Sequence, residues 1–300
     1  MTVRVGMKFK EVGAEQVAHW INDPNVIMEQ KMDGTRVLVV ITQGKVEFLQ
    51  SSGKVLAHTA ATQHLDAVRQ SLGKLVGWSP GELVLDGELL IRTGELYLFD
   101  APYARFGGVD VVRPEMPFFA RRRVLEMPEV RVNLLADNIK IVRQARTRGE
   151  KSRLFNAVLD EGAEGVMAKH ADGAYEPGKR VGHSVKIKMV KTADVIVTEV
   201  NRPDAKHGSF TFGVVATNEQ REHLDYSIVI DGLSIKNLGK CSAIGKPNAR
   251  VGDVIEVAYL YRDHSGGLVQ PRMMQVRPDK LPEQCTLDQF PVYSRKAVEF

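Results

Sequence analysis

The densest chemistry in the chain lies in eight consecutive residues, Glu29-Gln30-Lys31-Met32-Asp33-Gly34-Thr35-Arg36. A lysine, two acids, a glycine and an arginine crowd ahead of the apolar run Val37-Leu38-Val39-Val40-Ile41. A lysine amine attacks only without its proton, and its ordinary pKa of about 10.4 keeps that proton on at neutral pH. Desolvation or neighbouring cations free the amine. Gly34 lets the backbone come close to a ligand or take an unusual dihedral. Taken alone, the string reads more simply as the start of a strand carrying a surface ion pair.

Further groups change that reading. In Leu83–Ile91, apolar residues flank Asp86-Gly87-Glu88. Asp-Gly is common in turns, but flanks this apolar place the acids at a strand's edge inside the fold. A carboxylate there wants a cation, a metal or a ribose hydroxyl. Phe99-Asp100 closes a strand-like run, in which Phe99 by itself reads as core. Glu164-Gly165-Val166-Met167-Ala168-Lys169 has an acid at one end and a base at the other. Val185–Val190 alternates, so Lys186 and Lys188 share one face of a strand. Two such lysines repel unless solvent or an anion separates them; the competing reading is an exposed edge strand blunted by lysines.

These residues need elements to hold them. Residues 12–22 read as a short helix ended by Asp23-Pro24. Residues 37–49 read as a hairpin turning at Gln43-Gly44. Leu65, Val68, Leu72 and Leu75 give residues 62–76 a helical stripe, broken at Trp78-Ser79-Pro80-Gly81. Residues 118–126 and 138–160 are helical in pattern and basic, with Leu154, Phe155, Val158 and Leu159 as the apolar stripe of the second. Their arginines, Arg121 and Arg122 among them, form either a solvated or a phosphate-facing surface. A loop over 172–183 carries Tyr175-Glu176-Pro177-Gly178-Lys179-Arg180. Composition shifts near Thr192-Ala193. Five short strand patterns follow, over 194–200, 209–215, 226–230, 254–261 and 269–276. That spacing suggests a small β-barrel of the oligonucleotide-binding type.

Three hundred residues, 43% apolar and 26% charged, suit a two-domain globular protein. No apolar run approaches the ~20 residues of a membrane span. The N-terminus has no signal-peptide core. Two cysteines, Cys241 and Cys285, are too few for a four-thiolate zinc site or a disulfide scaffold. A reduced, cytoplasmic protein is expected. A net charge of +4 permits a polyanionic partner without requiring one.

In this order and spacing, the motifs resemble those of the ATP-dependent DNA ligases of the covalent nucleotidyltransferase superfamily. Lys31-Met32-Asp33-Gly34-Thr35-Arg36 is the most specific match. Pro271-Arg272-Met273-Met274-Gln275-Val276-Arg277-Pro278-Asp279-Lys280 is similar to the C-terminal motif of DNA ligases. The resemblance implies an α+β nucleotidyltransferase (ATP-grasp-like ligase) domain of antiparallel sheets with flanking helices over 1–190. A C-terminal OB-fold barrel follows over 193–300, with a hinge near Val190–Ala193. The form that the resemblance implies is the minimal two-domain one, of phage or accessory bacterial type.

The resemblance also implies roles. Lys31 attacks the α-phosphate of ATP and holds AMP. Glu29 contacts the adenine amino group and Phe99 stacks on the ring. Arg36 and Glu88 sit near the ribose and the reacting phosphates. Glu164, with Glu88, holds Mg2+, for which Mn2+ can stand in. Lys186 and Lys188 bind the α-phosphate, while Arg272 and Lys280 steer the triphosphate. Arg121, Arg122 and Arg180 are candidates for DNA contact. The implied partner is nicked double-stranded DNA, and a monomer is expected. Phosphoryl transfer is mostly positioning and charge neutralisation, which this cationic set suits. The chain departs from the family at Ser51-Ser52-Gly53, where ligases often carry Ser-Arg-x-Gly, and at His183-Ser184-Val185, where an aromatic residue is common. RNA ligation by the same lysine chemistry is the runner-up. A GTP-using capping enzyme and a non-catalytic nucleic-acid-binding protein are further alternatives.

Overall fold

A computed structural model describes residues 3–56, 64–78, 81–90, 93–128, 130–131, 138–201, 208–262, 265–290 and 300. The chain divides into two compact units: Met1–Val158 with Gly165–Lys188 and Arg295–Phe300, and Leu159–Glu164 with Met189–Ser294. The expected helix start at 62–63, the break at Ser79-Pro80, the Leu75 side chain and Ile91 lie outside the described residues.

In the first unit one sheet has the order β4-β3-β5-β6-β7. Its strands are β3 (Thr35–Thr42), β4 (Lys45–Gln50), β5 (Glu82–Leu89), β6 (Leu96–Phe106) and β7 (Val109–Val112). The hairpin β3–β4 turns at Gly44, whose φ of 77° is the left-handed value the turn requires. Strand β3 is buried on both faces, which is why its sequence is a continuous apolar run. Val37, Val39 and Ile41 pack with Val68 and Leu72 of helix Leu65–Trp78. Leu38 and Val40 pack on the other side with Met7, Tyr103, Tyr175 and Val181.

The second sheet has the order β1-β11-β10-β2-β9. Its strands are β1 (Lys8–Val12), β2 (Val26–Gln30), β9 (Gln144–Ala145), β10 (Gly165–His170) and β11 (Arg180–Lys188). Most pairings are antiparallel, but β1 runs parallel to β11, and β8 (Ile139–Ile141) runs parallel to β6.

The second unit contains the six-stranded antiparallel sheet β14-β15-β13-β12-β16-β17. Its strands are β12 (Lys191–Asn201), β13 (Ser209–Val215), β14 (Ile228–Ile230), β15 (Leu233–Ser242), β16 (Val254–Tyr259) and β17 (Arg272–Val276). Strand β15 was absent from the sequence reading. Its buried residues Ile235, Leu238 and Cys241 recur every third position. A register shift opposite Phe212/Gly213 and a positive φ at Gly239 break the two-residue period that marks a strand.

Other expectations change. Residues 139–145 form β8 and β9, and only Arg148–Asp160 is helical. Leu159 is 42% exposed and leaves the apolar stripe to Leu154 and Val158. The loop expected to reach His183 ends at Arg180, where β11 begins. Strand β11 is no edge strand, since β1 and β10 flank it. Asp86-Gly87-Glu88 is neither a turn nor a sheet edge, because β5 runs unbroken between β3 and β6. No helix among the described residues is long and apolar enough to cross a membrane.

Candidate active site

The register of the second sheet lays five side chains in one row, one from each strand. Glu11 of β1 pairs with Lys186 of β11, and Lys186 with Met167 of β10. Met167 pairs with Glu29 of β2, and Glu29 with Gln144 of β9. Directly paired residues share a face. Lys188 lies two positions from Lys186 and shares that face. The anion that separates the two lysines is Glu11, whose Oε2 is 3.0 Å from Lys186 Nζ and 3.7 Å from Lys188 Nζ. Partial burial works to raise the Glu11 carboxyl's pKa, and the two ammonium groups outweigh it and lower it.

Glu29, Met167 and Lys186 of this row line a cavity of about 210 Å³, whose other residues come from β1, β2 and β10 of the same sheet, from the first sheet and from the β2–β3 turn. Glu29, Lys31, Arg36, Glu88, Phe99 and Lys186 all line it, joined by Phe9, Met32, Met167 and Lys169. Six residues scattered from 29 to 186 thus converge. The Lys31 backbone N–H donates to Gly165 O at 2.9 Å, which ties the segment after β2 to the start of β10. Gly165 itself has a φ of 153°, and a Cβ there would lie 2.1 Å from Ile187 O. Gly34 is required by a neighbouring strand rather than by a ligand: a Cβ would lie 2.3 Å from Leu89 O.

Arg36 is held on every side. Its Nε and Nη2 donate to Asp86 Oδ1 and Oδ2 at 2.9 and 2.6 Å, and Nη1 donates to Met7 O at 2.6 Å. Tyr175 Oη donates to Asp86 Oδ2 at 2.7 Å. Phe9 and Phe99 present ring faces at 4.7 and 5.6 Å. Burial opposes the guanidinium charge, and Asp86 overcomes it, holding Arg36 above its ordinary pKa. Burial, reinforced by Asp86, pushes the Tyr175 phenol well above its ordinary value.

At another wall, Glu29 is 1% exposed. Lys169 Nζ donates to its Oε2 at 2.5 Å, and Gln144 Nε2 to its Oε1 at 2.9 Å. The Lys169 ammonium lies 4.6 Å from the ring centres of both Phe99 and Phe118.

Arg121 and Arg122, expected on a phosphate-facing surface, are 1% and 3% exposed. Arg121 forks onto Asp100 at 3.2 and 2.9 Å and donates to Gly173 O at 2.9 Å, so its charge is spent inside the fold. Arg122 Nη2 donates to Val142 O at 2.9 Å, and burial lowers its pKa. Neither is a surface contact for DNA. Lys151 of the same basic run is also buried, donating to Asp23 O at 2.6 Å. Arg180 is exposed, with Nη1 on Phe9 O at 2.9 Å.

Glu164 is buried and immediately precedes β10. In the second unit, Arg272 is exposed at the start of β17. Lys280 Nζ is 3.9 Å from Asp194 Oδ2, and Arg277 Nη1 is 3.0 Å from Asp194 Oδ1. Arg277 also forks onto Asp279 at 2.9 and 2.8 Å. The hydrogen bond from Arg277 lowers the Asp279 carboxyl to about 2.

Sequence reasoning missed Phe9, Glu11, Gln144 and Asp194 altogether, and it assigned no role to Lys169 or Tyr175. The strict alternation of β11 was the usable signal for Glu11, since it called for solvent or an anion between two lysines.

The fold is that of the nucleotidyltransferase-type ligases. One solved structure, Pmar-Lig_PreS3, is matched with a TM-score of 0.58 and 19% identity over 92% of this chain and 68% of the other. A Lig E DNA ligase, described as binding DNA with a minimal scaffold, is matched at 0.56 and 15% identity over 92% of this chain and all of the other. Residues 94–188 match the family described as the ATP dependent DNA ligase domain, and the chain is a relative of the ATP-dependent DNA ligases. It is 32% identical over 118 residues to a DNA ligase of Methanosphaera stadtmanae, covering 39% of this chain. It is 24% identical over 288 residues to the multifunctional non-homologous end joining protein LigD of Mycolicibacterium smegmatis, covering 85% of this chain. The chain spans only 20% and 36% of those two relatives.

Proposed function

We propose that this chain is an ATP-dependent DNA ligase that seals nicks in duplex DNA. The observation that carries the reading is the convergence of Lys31 with Glu29, Arg36, Glu88, Phe99 and Lys186 on one cavity. In the proposed sequence, Lys31 Nζ attacks the α-phosphorus of ATP, and the bond to the β-phosphate oxygen breaks to release pyrophosphate. The 5′-phosphate of the nick then attacks the same phosphorus, which breaks the P–N bond and returns the lysine. Finally the 3′-hydroxyl attacks the 5′-phosphorus and AMP leaves. Phe99 offers its ring to the base and Glu29 accepts from its amino group. Lys186 and Lys188 take the α-phosphate, and Arg36 and Glu88 serve the ribose and reacting phosphates.

Mg2+ fits this donor set. It binds through one or two carboxylates together with substrate phosphates and water, so no all-protein cage is needed. Glu88 and Glu164 are the carboxylates assigned to it, and it would supply charge neutralisation on the phosphates. In the second unit, read as an OB-fold over 193–300, Arg272 and Lys280 steer the triphosphate during the first step. Arg180 remains the candidate for DNA contact. Several relatives are named DNA ligases, which favours DNA over RNA as the joined strand.

Covalent labelling tests the reading. The protein, with magnesium and α-labelled ATP, GTP or NAD in separate reactions, is run on a denaturing gel. Label from ATP alone, lost in Lys31→Ala, is expected. Label from GTP alone would move the reading to capping. No label from any of the three, even after pyrophosphate treatment to strip bound AMP, would favour the non-catalytic alternative.

A further inference from the structure

Lys186 and Lys188 leave β11 on the same face, two positions apart. Their ammonium groups converge on a single oxygen. Glu11 Oε2 lies 3.0 Å from Lys186 Nζ and 3.7 Å from Lys188 Nζ. Two cations addressing one oxygen are also what a phosphate oxygen takes. Here a side chain of the protein fills that position. The register puts Glu11 on β1, one strand beyond Lys186 and on the side away from Glu29. Lys186 lines the cavity, so its ammonium stands between the cavity and the Glu11 carboxylate. Strand β1 ends its sheet, and the Glu11 side chain is 49% exposed. Water can therefore take up the carboxylate's charge when it lets go of the lysines. A part-exposed ion pair of this kind is weak enough to be exchanged for another anion.

We propose that Glu11 is a built-in competitor for phosphate: its carboxylate holds the position that Lys186 and Lys188 both address, and a phosphate group entering the cavity must displace it. Glu11 is a positioning residue that acts through the two lysines. Each binding event gives up their contact with the carboxylate for their contact with phosphate, so the cavity grips any phosphate group less tightly than the lysines alone would. Without the carboxylate, the two ammonium groups repel each other until a phosphate arrives, which adds to the gain on binding. A purely structural partner would act with the opposite sign, since its loss would let the lysines splay and weaken the grip. The inference deepens the proposed ligase reading and rests on its assignment of phosphate to these lysines.

The test is isothermal titration of the whole chain with inorganic pyrophosphate and with AMP. The proteins are wild type, Glu11→Gln, Glu11→Ala and Glu15→Gln, the last a control for net charge at the exposed acid of the turn Ala14–Gln16. Both Glu11 variants should bind the probes about two- to fivefold more tightly, the range expected from a part-exposed ion pair. The gain should shrink as salt is raised, and Glu15→Gln should bind as wild type does. In self-labelling, the KM for ATP should fall by a similar factor with kcat unchanged. Unchanged or weaker binding in the Glu11 variants would overturn the inference, as would a loss of kcat with KM unmoved. So would an equal gain in Glu15→Gln, no binding of either probe by any of the proteins, or melting curves showing that neither Glu11 variant folds. If wild type labels with no nucleotide, the ligase reading fails, while the pyrophosphate titrations still decide the role of Glu11.

Discussion

Arg36 grips Asp86, and Arg277 grips Asp279, through the same two guanidinium nitrogens at nearly the same lengths. The surroundings differ. Asp86 is fully buried, Tyr175 holds one of its oxygens, and Phe9 and Phe99 cover the guanidinium. Asp279 is 61% exposed, and its arginine is shared with Asp194. A buried fork has no water to replace a lost partner, so it fixes a position. An exposed fork can be exchanged for another anion at little cost. The first unit thus contains a rigid frame around Lys31. The second presents cations whose present partners are carboxylates and whose next partner can be a phosphate.

The largest effect expected from that contrast is on stability. Asp86→Asn strands a buried guanidinium and should lower the unfolding free energy by roughly 3–5 kcal/mol. Asp279→Asn should move the denaturant midpoint far less. Equal losses in the two urea curves would break the comparison. Next comes Gly34→Ala, which pushes a methyl group against the Leu89 carbonyl and should cost about 1–3 kcal/mol by overpacking, read in the same titration. A change confined to ATP capture, with the urea curve intact, would return Gly34 to the ligand-contacting role first expected of it.

Lys280→Ala sharpens the other side. Lys280 is partly exposed and its ion pair with Asp194 is 3.9 Å long, so its loss should not change the melting temperature. It should slow self-adenylation more than the sealing of an already adenylated nick, and the reverse order would refute its assignment to the first step. The smallest effect is in acid. Asp279 is lowered to about 2 by Arg277, so its contribution to stability is fully present above its ordinary value of about 3.9. That contribution fades as pH falls through about 2. Any difference in melting temperature between wild type and Asp279→Asn should therefore shrink as the solution is acidified across that interval.

Much of the first unit was legible because its signals are local. The doubly apolar run of β3, the Asp86-Gly87-Glu88 strand and the paired lysines of β11 each announce themselves within ten residues. The partners did not. Asp86 needs a cation, but nothing near it in sequence says that the cation is Arg36 or that Tyr175 completes the set. The arginines of 121–122 look like a solvated run because sequence shows charge without burial, and Asp100, which neutralises Arg121, lies across the fold. Residues 139–145 read as helix because Ile139, Val142 and Arg143 also fit a helical period. Pairing with β6 and β2 decided in favour of strand. In the second unit, the bulged β15 escaped for the same reason that it bends: its period is not two.

The parallel pairing of β1 with β11 sets an order of events in time. Arg180 donates to Phe9 O across 171 positions, so the first strand synthesised waits for more than half the chain before its neighbour exists. Pairings this distant in sequence close late, since loop entropy is spent before the contact forms. Lys186 and Lys188 consequently meet the Glu11 carboxylate late in assembly, as Lys169 and Gln144 meet Glu29 across 140 and 115 positions. Pulsed hydrogen exchange during refolding should find the amides of Phe9–Val12 protected later than those of β3 and β5.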